Sequence, residues 1–275
     1  MRTHHRSRWA LSASAEVDGE TLRLYQAQEA TSRAPSLVFV HGLEESWDIW
    51  SGIGQRLASR FRLLALDLPW RTGNGYAWCR RRSLGDWLGA GLALLDAEPT
   101  VIVGHSLGTG AMLEHLHSAS GPGPRAIVLA SPIYRGEREP VTWATAYRAM
   151  DDFREMIGQD LVGRLRPDFD RGDQKLISTM IDKIVDRVGP IGFYSLFLLY
   201  AVGGIPDLDR PDIATLVVAG TDDPYATPAS LSALTAAVPR SRLVRLRGAG
   251  HFAIRDQAPD LAETMITFFD QCLTP

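Results

Sequence analysis

The sharpest local pattern in the chain is Val101-Ile102-Val103-Gly104-His105-Ser106-Leu107-Gly108. It contains an apolar run of strand length, then the pattern Gly-x-Ser-x-Gly, and then the start of a helix-length segment at Leu107. A serine between such a strand and such a helix lies on a strained turn that lifts its hydroxyl clear of the sheet. The flanking glycines remove the Cβ atoms that would clash there. The helix N-terminus also favours a developing negative charge. The stretch therefore predicts that Ser106 is a nucleophile at the end of a buried strand.

Apolar runs alternate with helix-length segments on both sides of this turn. Near the start, Asp18-Gly19 is a hairpin-turn dipeptide and predicts antiparallel strands at 10–17 and 21–26. Further strands are predicted at 37–40, 63–66, 100–103, 126–130, 215–219 and 243–246. Helices are predicted at 47–60, 83–97, 107–118 and 259–272. This alternation predicts an α/β fold with a mostly parallel central sheet and flanking helices.

One long interval contains no strand pattern. Between residues 133 and 212 the sequence instead has helical patterns at 141–159, 174–188 and 191–202, separated by turn-rich segments at 166–173 and Gly189-Pro190. Compact domains rarely carry a structureless loop of this length. We therefore predict a core formed by residues 1–132 and 213–275, with a helical insertion at 133–212.

A serine nucleophile needs a base, and the chain has seven histidines. Six lie where they are not expected to act as the base for Ser106. They are at the N-terminus (His4, His5), beside the nucleophile (His105), farther along its helix (His115, His117) or in the loop after the strand 37–40 (His41). His251 remains, directly after the last predicted strand. Loops at the carboxyl ends of parallel strands gather at one edge of the sheet, so His251 can meet Ser106 there.

The base in turn needs a carboxylate that orients it. Asp222 and Asp223 directly follow the predicted strand 215–219. The residues leave the choice open, because either aspartate can instead cap the turn before Pro224. Glu137, which follows soon after the predicted strand 126–130, is a third and less favoured candidate for this acid.

The second turn of interest follows the strand 37–40 and reads His41-Gly42-Leu43. The backbone amides of Leu43 and Leu107 are the predicted oxyanion-hole donors. Loss of one such donor costs about 2.7–4 kcal/mol of transition-state stabilisation. Glu44 and Glu45, which follow in the same loop, are expected to be solvated.

Together these motifs resemble the α/β-hydrolase superfamily, in particular its lid-bearing esterases, thioesterases and C–C bond hydrolases. They occur in the family's order: His41-Gly42, the Ser106 turn, Gly220-Thr-Asp-Asp-Pro224 and Gly250-His251. In the family the acid usually stands three residues after the glycine, which favours Asp223 over Asp222. The interval 133–212 occupies the position of the family's lid. Ser106 argues against haloalkane dehalogenases, which use an aspartate nucleophile.

The chain departs from the family pattern after the second parallel strand. Relatives often have Asp-x-Pro-Gly-x-Gly-x-Ser, whereas this chain has Asp67-Leu-Pro-Trp70-Arg71-Thr. One interpretation is that Trp70 and Arg71 bind substrate. The alternative is that Trp70 and Trp78 are packed beneath the lid and Arg71 is solvated.

An apolar lid segment offers further substrate-binding candidates. Phe193, Phe197 and Tyr200, with Leu196 between them, predict an apolar roof over the pocket. The alternative is that these side chains form the core of the lid itself.

Composition narrows the class of protein. The chain has 275 residues and a formal net charge of −3, which gives no electrostatic footprint for nucleic acid or an anionic membrane. Cys79 and Cys272 show no metal-ligand spacing and imply no disulfide framework, so a reduced cytoplasmic setting is expected. No signal peptide or membrane span is predicted. We expect a small-molecule substrate and neither a metal nor an organic cofactor. The sequence leaves the oligomeric state open.

The function predicted from these residues is hydrolysis of an ester or thioester of a small, largely apolar substrate. Ser106, His251 and Asp223 would form the triad, and an acyl-enzyme would be the intermediate. One alternative is acyl transfer, cyclisation or elimination at the same site, in natural-product (polyketide) biosynthesis. A second is a non-catalytic ligand receptor. Fold alone does not separate them.

Overall fold

The computed structural model describes residues 9–28, 34–134, 142–165, 173–202, 208, 210, 212–238 and 240–273. Within these ranges eight strands form one sheet. The strands are β1 (Trp9–Val17), β2 (Glu20–Ala27), β3 (Ser36–Val40), β4 (Arg62–Asp67), β5 (Val101–His105), β6 (Ala126–Ala130), β7 (Ala214–Gly220) and β8 (Ser241–Leu246). Their order across the sheet is β1-β2-β4-β3-β5-β6-β7-β8.

The sheet is antiparallel at one edge and parallel elsewhere. β1 and β2 form a hairpin, and β2 pairs antiparallel with β4. The remaining pairs, from β4-β3 to β7-β8, are parallel. Asp18 (φ 48°) and Gly19 (φ 76°) both have positive φ, as a two-residue hairpin turn requires. The predicted α/β fold is confirmed.

The helices in the described residues are α1 (Ser51–Leu57), α2 (Leu84–Leu92), α3 (Leu107–Ser118), α4 (Trp143–Arg164), α5 (Gln174–Val202), α6 (Pro228–Ala237), α7 (Ala253–Asp256) and α8 (Ala258–Cys272). Short 3₁₀ helices span Trp47–Trp50 and Ala77–Arg80. None of the described helices has the length and apolarity needed to cross a membrane. Helix α6 was not predicted, because its sequence is rich in small residues and buries only Leu231 and Leu234.

Strand residues alternate between two apolar layers. Leu37 and Phe39 of β3 belong to one buried cluster with residues of α1 and α8. Because successive side chains of a strand point to opposite faces, Val38 and Val40 face the other layer. All four are fully buried. Burial on both faces explains why the parallel strands are continuous apolar runs.

The chain divides into two compact units. The core unit comprises Met1–Asn74, Arg81–Gly136 and Ile205–Pro275, and it holds the whole sheet. The helical unit comprises Gly75–Arg80 and Glu137–Gly204, and it holds α4 and α5. The assignment of 133–212 as a lid remains a prediction.

Inside the helical unit, aromatic side chains pack on one another. Phe193 lies 5.9 Å from Phe153 and 6.1 Å from Phe197, measured between ring centroids. Helix α5 is interrupted at Gly189, which has a φ of 63° and precedes Pro190. Proline removes a backbone donor and disfavours a helical residue before it, so the interruption falls at the predicted Gly189-Pro190 turn.

Candidate active site

Ser106 lies on the turn between β5 and α3. Its φ of 50° and ψ of −117° are unusual for a residue with a side chain. The turn is held by its backbone: the N–H of Ser106 donates to the carbonyl of Ala130 at 3.0 Å, and the Thr109 hydroxyl donates to the carbonyl of Ser106 at 2.6 Å. These bonds offset the strain and fix the position of the serine side chain.

The two glycines of the turn are needed because neighbouring atoms approach closely. A Cβ on Gly108 would come within 2.6 Å of the carbonyl oxygen of Val40. A Cβ on Gly104 would collide with the sulfur of Met112, which lies on α3. The Gly-x-Ser-x-Gly pattern therefore allows α3 to pack against the sheet directly behind Ser106.

His251 and Asp223 extend a line of contacts from Ser106. The Nε2 atom of His251 is 2.9 Å from Oγ of Ser106. Its Nδ1 atom is 3.1 and 3.2 Å from the two carboxylate oxygens of Asp223. All three residues are buried. Strands β5 and β7 and the loop after β8 bring them to the same edge of the sheet.

The environment of Asp223 keeps it ionised. Burial alone would raise the pKa of this carboxyl, but its hydrogen bond to and electrostatic interaction with the imidazole of His251 help to outweigh burial, and the pKa falls below its ordinary value. The backbone N–H of Tyr225 donates to Asp223 at 3.0 Å, which also favours the anion. The ionised form of Asp223 can accept a hydrogen bond from the Nδ1–H of His251.

The neighbouring aspartate is placed differently. Asp222 is exposed, and its carboxylate accepts a hydrogen bond from the Thr221 hydroxyl at 2.9 Å. Its backbone N–H donates to the carbonyl of Ala249 at 3.0 Å. Of the two candidates, Asp223 is the one that contacts His251. The reserve acid, Glu137, lies outside the described residues.

The two predicted oxyanion-hole amides are those of Leu107, which follows the serine, and Leu43, which follows Gly42. Gly42 lies beside the serine, since a Cβ on it would be 3.1 Å from Cβ of Ser106. Leu107 opens α3, so its N–H has no acceptor within the helix. For the N–H of Leu43, the described part of the chain offers no acceptor. The preceding amide, that of Gly42, donates instead to Oε2 of Glu45 at 2.6 Å. Two backbone donors thus remain for a ligand oxygen, and their role there is a prediction.

His41 has a structural task in the same loop. It is fully buried, and burial lowers its pKa although nearby acceptors and carboxylates oppose the change. The N–H of Leu68 donates to Nε2 of His41 at 3.0 Å, so the proton of the neutral ring is on Nδ1, 2.8 Å from the carbonyl of Gly42. His41 therefore joins its loop to the segment after β4.

The expectation that Glu44 and Glu45 are solvated is wrong. Glu44 is 5% exposed and Glu45 is 1% exposed. Glu44 accepts hydrogen bonds from the side chain of Asn74 at 3.1 Å and the N–H of Gly73 at 3.3 Å. The carboxylate of Glu45 lies 2.9 and 3.0 Å from Nδ1 of His105. Sequence reasoning missed these contacts because the partners are distant along the chain.

Trp70 and Arg71 have partners inside the core unit. Trp70 is fully buried, and its indole N–H donates to the carbonyl of His41 at 2.9 Å. Arg71 donates to the carbonyl of Thr21 at 2.9 Å and lies 3.8 Å from the carboxylate of Asp67. Contact of either residue with substrate remains a prediction.

The predicted apolar roof residues belong to α5 in the helical unit. Phe197 is buried, and Phe193 and Leu196 are half-buried. The stacking of Phe193 on Phe197 gives both rings a part in the core of this unit. The side chain of Tyr200 lies outside those that the structure describes. The described residues bring together no group of three or more potential metal ligands.

Comparison with known proteins defines the class. A sequence profile of the alpha/beta hydrolase family matches residues 37–264, and the chain belongs to that family. The chain is 27% identical over 256 residues to a pimeloyl-[acyl-carrier protein] methyl ester esterase of Stenotrophomonas maltophilia. That alignment covers 87% of this chain and 95% of the relative.

Solved structures show the same fold. A membrane phospholipase A superposes with a TM-score of 0.73 at 16% identity, covering 96% of this chain and 87% of that one. An enol-lactonase from Burkholderia xenovorans superposes with a TM-score of 0.64 at 21% identity, covering 94% of this chain and 100% of that one. These relatives, and a further structural neighbour that is an esterase from Rhodococcus, are esterases or other hydrolases by name.

Proposed function

We propose that the protein hydrolyses a carboxylic ester with Ser106 as nucleophile, His251 as base and Asp223 as the orienting acid. One observation carries this proposal: the unbroken, buried line of contacts from the Ser106 hydroxyl through His251 to Asp223. A serine hydroxyl is a weak nucleophile alone, and an adjacent base held in the correct tautomer activates it. Asp223 favours the tautomer with a proton on Nδ1, which leaves Nε2 free to accept the serine proton.

The reaction follows from these positions. Nε2 of His251 takes the proton of Ser106 as Oγ attacks the ester carbonyl carbon, and the carbonyl oxygen becomes an oxyanion. The amides of Leu43 and Leu107 stabilise that oxyanion, together with the N-terminus of α3. The C–O bond to the alcohol then breaks, and His251 returns the proton to the leaving oxygen. Water attacks the acyl-enzyme with His251 again as base, and Ser106 is regenerated.

An ester is favoured over a thioester by the relatives. The name of the Stenotrophomonas relative describes a methyl ester esterase, and a structural neighbour is an enol-lactonase, so both names refer to oxygen esters. We further propose that the acyl part is small and largely apolar and that Phe193, Phe197 and Tyr200 of α5 favour it. The family's use of an inserted lid and the aromatic composition of α5 support this part of the proposal.

A paired substrate panel tests the reaction type. Oxygen esters and thioesters of the same acyl groups are supplied with and without an added alcohol acceptor, and products are identified by mass spectrometry. We expect free acid as the main product, faster turnover of the oxygen esters, and an acyl-enzyme whose mass maps to Ser106. Transfer of the acyl group to the alcohol as the main outcome would contradict hydrolysis. Binding of the panel without acylation would identify a receptor instead.

A further inference from the structure

A second buried polar system adjoins the proposed triad. Glu45 lies in the loop after β3, and His105 directly precedes Ser106. Glu45 is 1% exposed and His105 is fully buried. Oε2 of Glu45 accepts from the N–H of Gly42 at 2.6 Å and lies 3.0 Å from Nδ1 of His105. Nε2 of His105 lies 3.0 Å from the backbone carbonyl of His251. None of these contacts is part of the reaction described above.

The hydrogen-bond partners set the protons of this system. A carbonyl oxygen only accepts, so Nε2 of His105 carries a proton that it donates to His251. Both carboxylate oxygens of Glu45 lie within 3.0 Å of Nδ1 of His105, and Oε2 also accepts from the N–H of Gly42. This geometry suits an ion pair in which Nδ1 donates to the carboxylate. Burial lowers the pKa of His105, but the charge and hydrogen bond of Glu45 outweigh burial and raise it. The same contacts lower the pKa of Glu45 against the effect of burial.

The Glu45–His105 pair is hydrogen-bonded to two parts of the proposed active site. Through the N–H of Gly42 it holds the His41–Gly42 peptide, one residue before the Leu43 amide, which is the proposed oxyanion donor. Through the carbonyl of His251 it fixes the backbone that carries the proposed base. The rings of His105 and His251 are 5.2 Å apart between centroids. Hydrogen bonds therefore link the Glu45 carboxylate directly to the loop of the proposed oxyanion donor and, through His105, to the backbone of the proposed base.

We propose that Glu45, paired with His105, is a positioning residue that holds the Leu43 amide and the His251 ring in register with Ser106. The inference rests on the proposed function, because it assigns the pair to the service of that triad. Glu45 does not touch the reacting atoms. Its effect is on the placement of groups that do, and misplacement of such groups by about 1 Å can reduce a rate by about 100-fold.

Two substitutions separate position from charge. Glu45→Ala removes both hydrogen bonds. Glu45→Gln retains an oxygen to accept from Gly42 and an amide to donate to Nδ1 of a neutral His105, whose Nε2–H still donates to His251. We expect Glu45→Ala to lower kcat by about 100-fold with KM changed by less than about threefold, and Glu45→Gln to restore kcat to within about fivefold of the unmodified protein.

A matched control comes from the adjacent glutamate. Glu44 is also buried, but its carboxylate accepts from Gly73 and Asn74 and not from His105. We expect Glu44→Ala to keep kcat within about threefold, even where its thermal midpoint falls. Turnover is expressed per active site titrated with a fluorophosphonate, so loss of folded protein does not imitate a loss of kcat. Retention of kcat in Glu45→Ala, or an equal loss in Glu45→Gln, would overturn the proposal.

A measurement without substrate keeps the inference testable if Glu45→Ala does not fold. The other titratable groups around the pair are His41, Asp223 and His251. Nitrogen NMR of the unmodified protein should show both ring nitrogens of His105 protonated at neutral pH, and Glu45→Gln should leave only one protonated. A singly protonated His105 in the unmodified protein would refute the pairing. Failure of the unmodified protein to label at Ser106 would instead refute the proposed function itself.

Discussion

The core unit and the helical unit differ in which side chains they bury and which they leave exposed. At the sheet edge of the core unit, charged and polar groups such as His105, Asp223 and His251 are buried and have hydrogen-bond partners. In the helical unit, large apolar side chains such as Trp143 (80% exposed) and Ile191 (65% exposed) lie at the surface. Buried polar groups require partners at set distances and angles, whereas apolar contact is not directional. Groups at the sheet edge of the first unit are therefore held at set distances, whereas the apolar contacts of the second unit are less directional.

The largest expected effect comes from the nucleophile. Ser106→Ala should abolish fluorophosphonate labelling and lower turnover by about 10⁶-fold, as loss of the nucleophile does in serine proteases. Labelling is followed by intact mass and turnover with an activated ester. Ser131→Ala is the matched control, because Ser131 is also buried, has a φ of 46° and follows the adjacent strand β6. Stoichiometric labelling of the Ser106→Ala variant would show that the nucleophile lies elsewhere.

The next effect separates the two aspartates. Asp223→Asn should lower kcat by about 10⁴-fold, because the amide no longer favours the productive tautomer of His251. Asp222→Asn should change kcat little, since Asp222 is exposed and bonds to Thr221. Steady-state kinetics of both variants checks the difference. Equal and mild effects would move the acid to another residue, and Glu137 would be tested next.

A smaller, graded effect is expected in the helical unit. If α5 selects the acyl group, each buried methylene adds about 0.8 kcal/mol, or roughly a fourfold gain in kcat/KM, until the site is full. Medium-length or cyclic acyl groups should then exceed acetyl by at least about tenfold, and Phe197→Ala should flatten that preference while activity towards acetyl esters remains. The measurement is kcat/KM across a chain-length series.

Leu198 provides the control for this prediction. It neighbours Phe197 on α5 but is 37% exposed, whereas Phe197 is buried. If Leu198→Ala, but not Phe197→Ala, reduces the preference for longer acyl groups, the exposed face of the helix selects the acyl group. Acetyl as the best substrate, unchanged in both variants, would contradict selection by α5 and direct attention to Trp70 and Arg71.

The smallest expected effect is on acid stability. The pKa of Asp223 is lower in the folded protein than its ordinary value, so its ionised form stabilises the fold. That contribution is complete well above the unfolded pKa of about 3.9 and is lost as the pH falls through the lower folded value. Asp223→Asn should therefore lose less thermal stability than the unmodified protein on acidification.

Thermal midpoints measured at neutral pH and at about pH 3.5 check this expectation. Each kcal/mol of the Asp223 contribution corresponds to about 2–4 °C for a domain of this size. Asp222→Asn should behave like the unmodified protein. An identical acid shift in all three proteins would mean that Asp223 contributes no pH-dependent stability.

Much of the fold could be read from local patterns. The parallel strands are short apolar runs, and β6 and α3 have the bounds that their patterns predict. Helix α6 was missed because its apolar positions are few, although Thr227 caps its first turn and Pro228 follows at a position that suits proline. Helix α6 packs through its buried residues Leu231 and Leu234, and their burial cannot be predicted from the local sequence.

Local sequence patterns were enough to predict every strand, most helices and their order, together with the turns that carry Ser106 and His251. Those properties follow from periodicity and from the backbone demands of glycine and proline, which act over a few residues. Three facts became visible only in the folded protein: Asp223 contacts His251, Asp222 is solvent-exposed, and Glu45 is buried against His105. These facts depend on partners that are 28 or 60 residues apart along the chain. Burial and pairing of a charge are set by whatever side chains the fold brings beside it, so no local pattern fixes them.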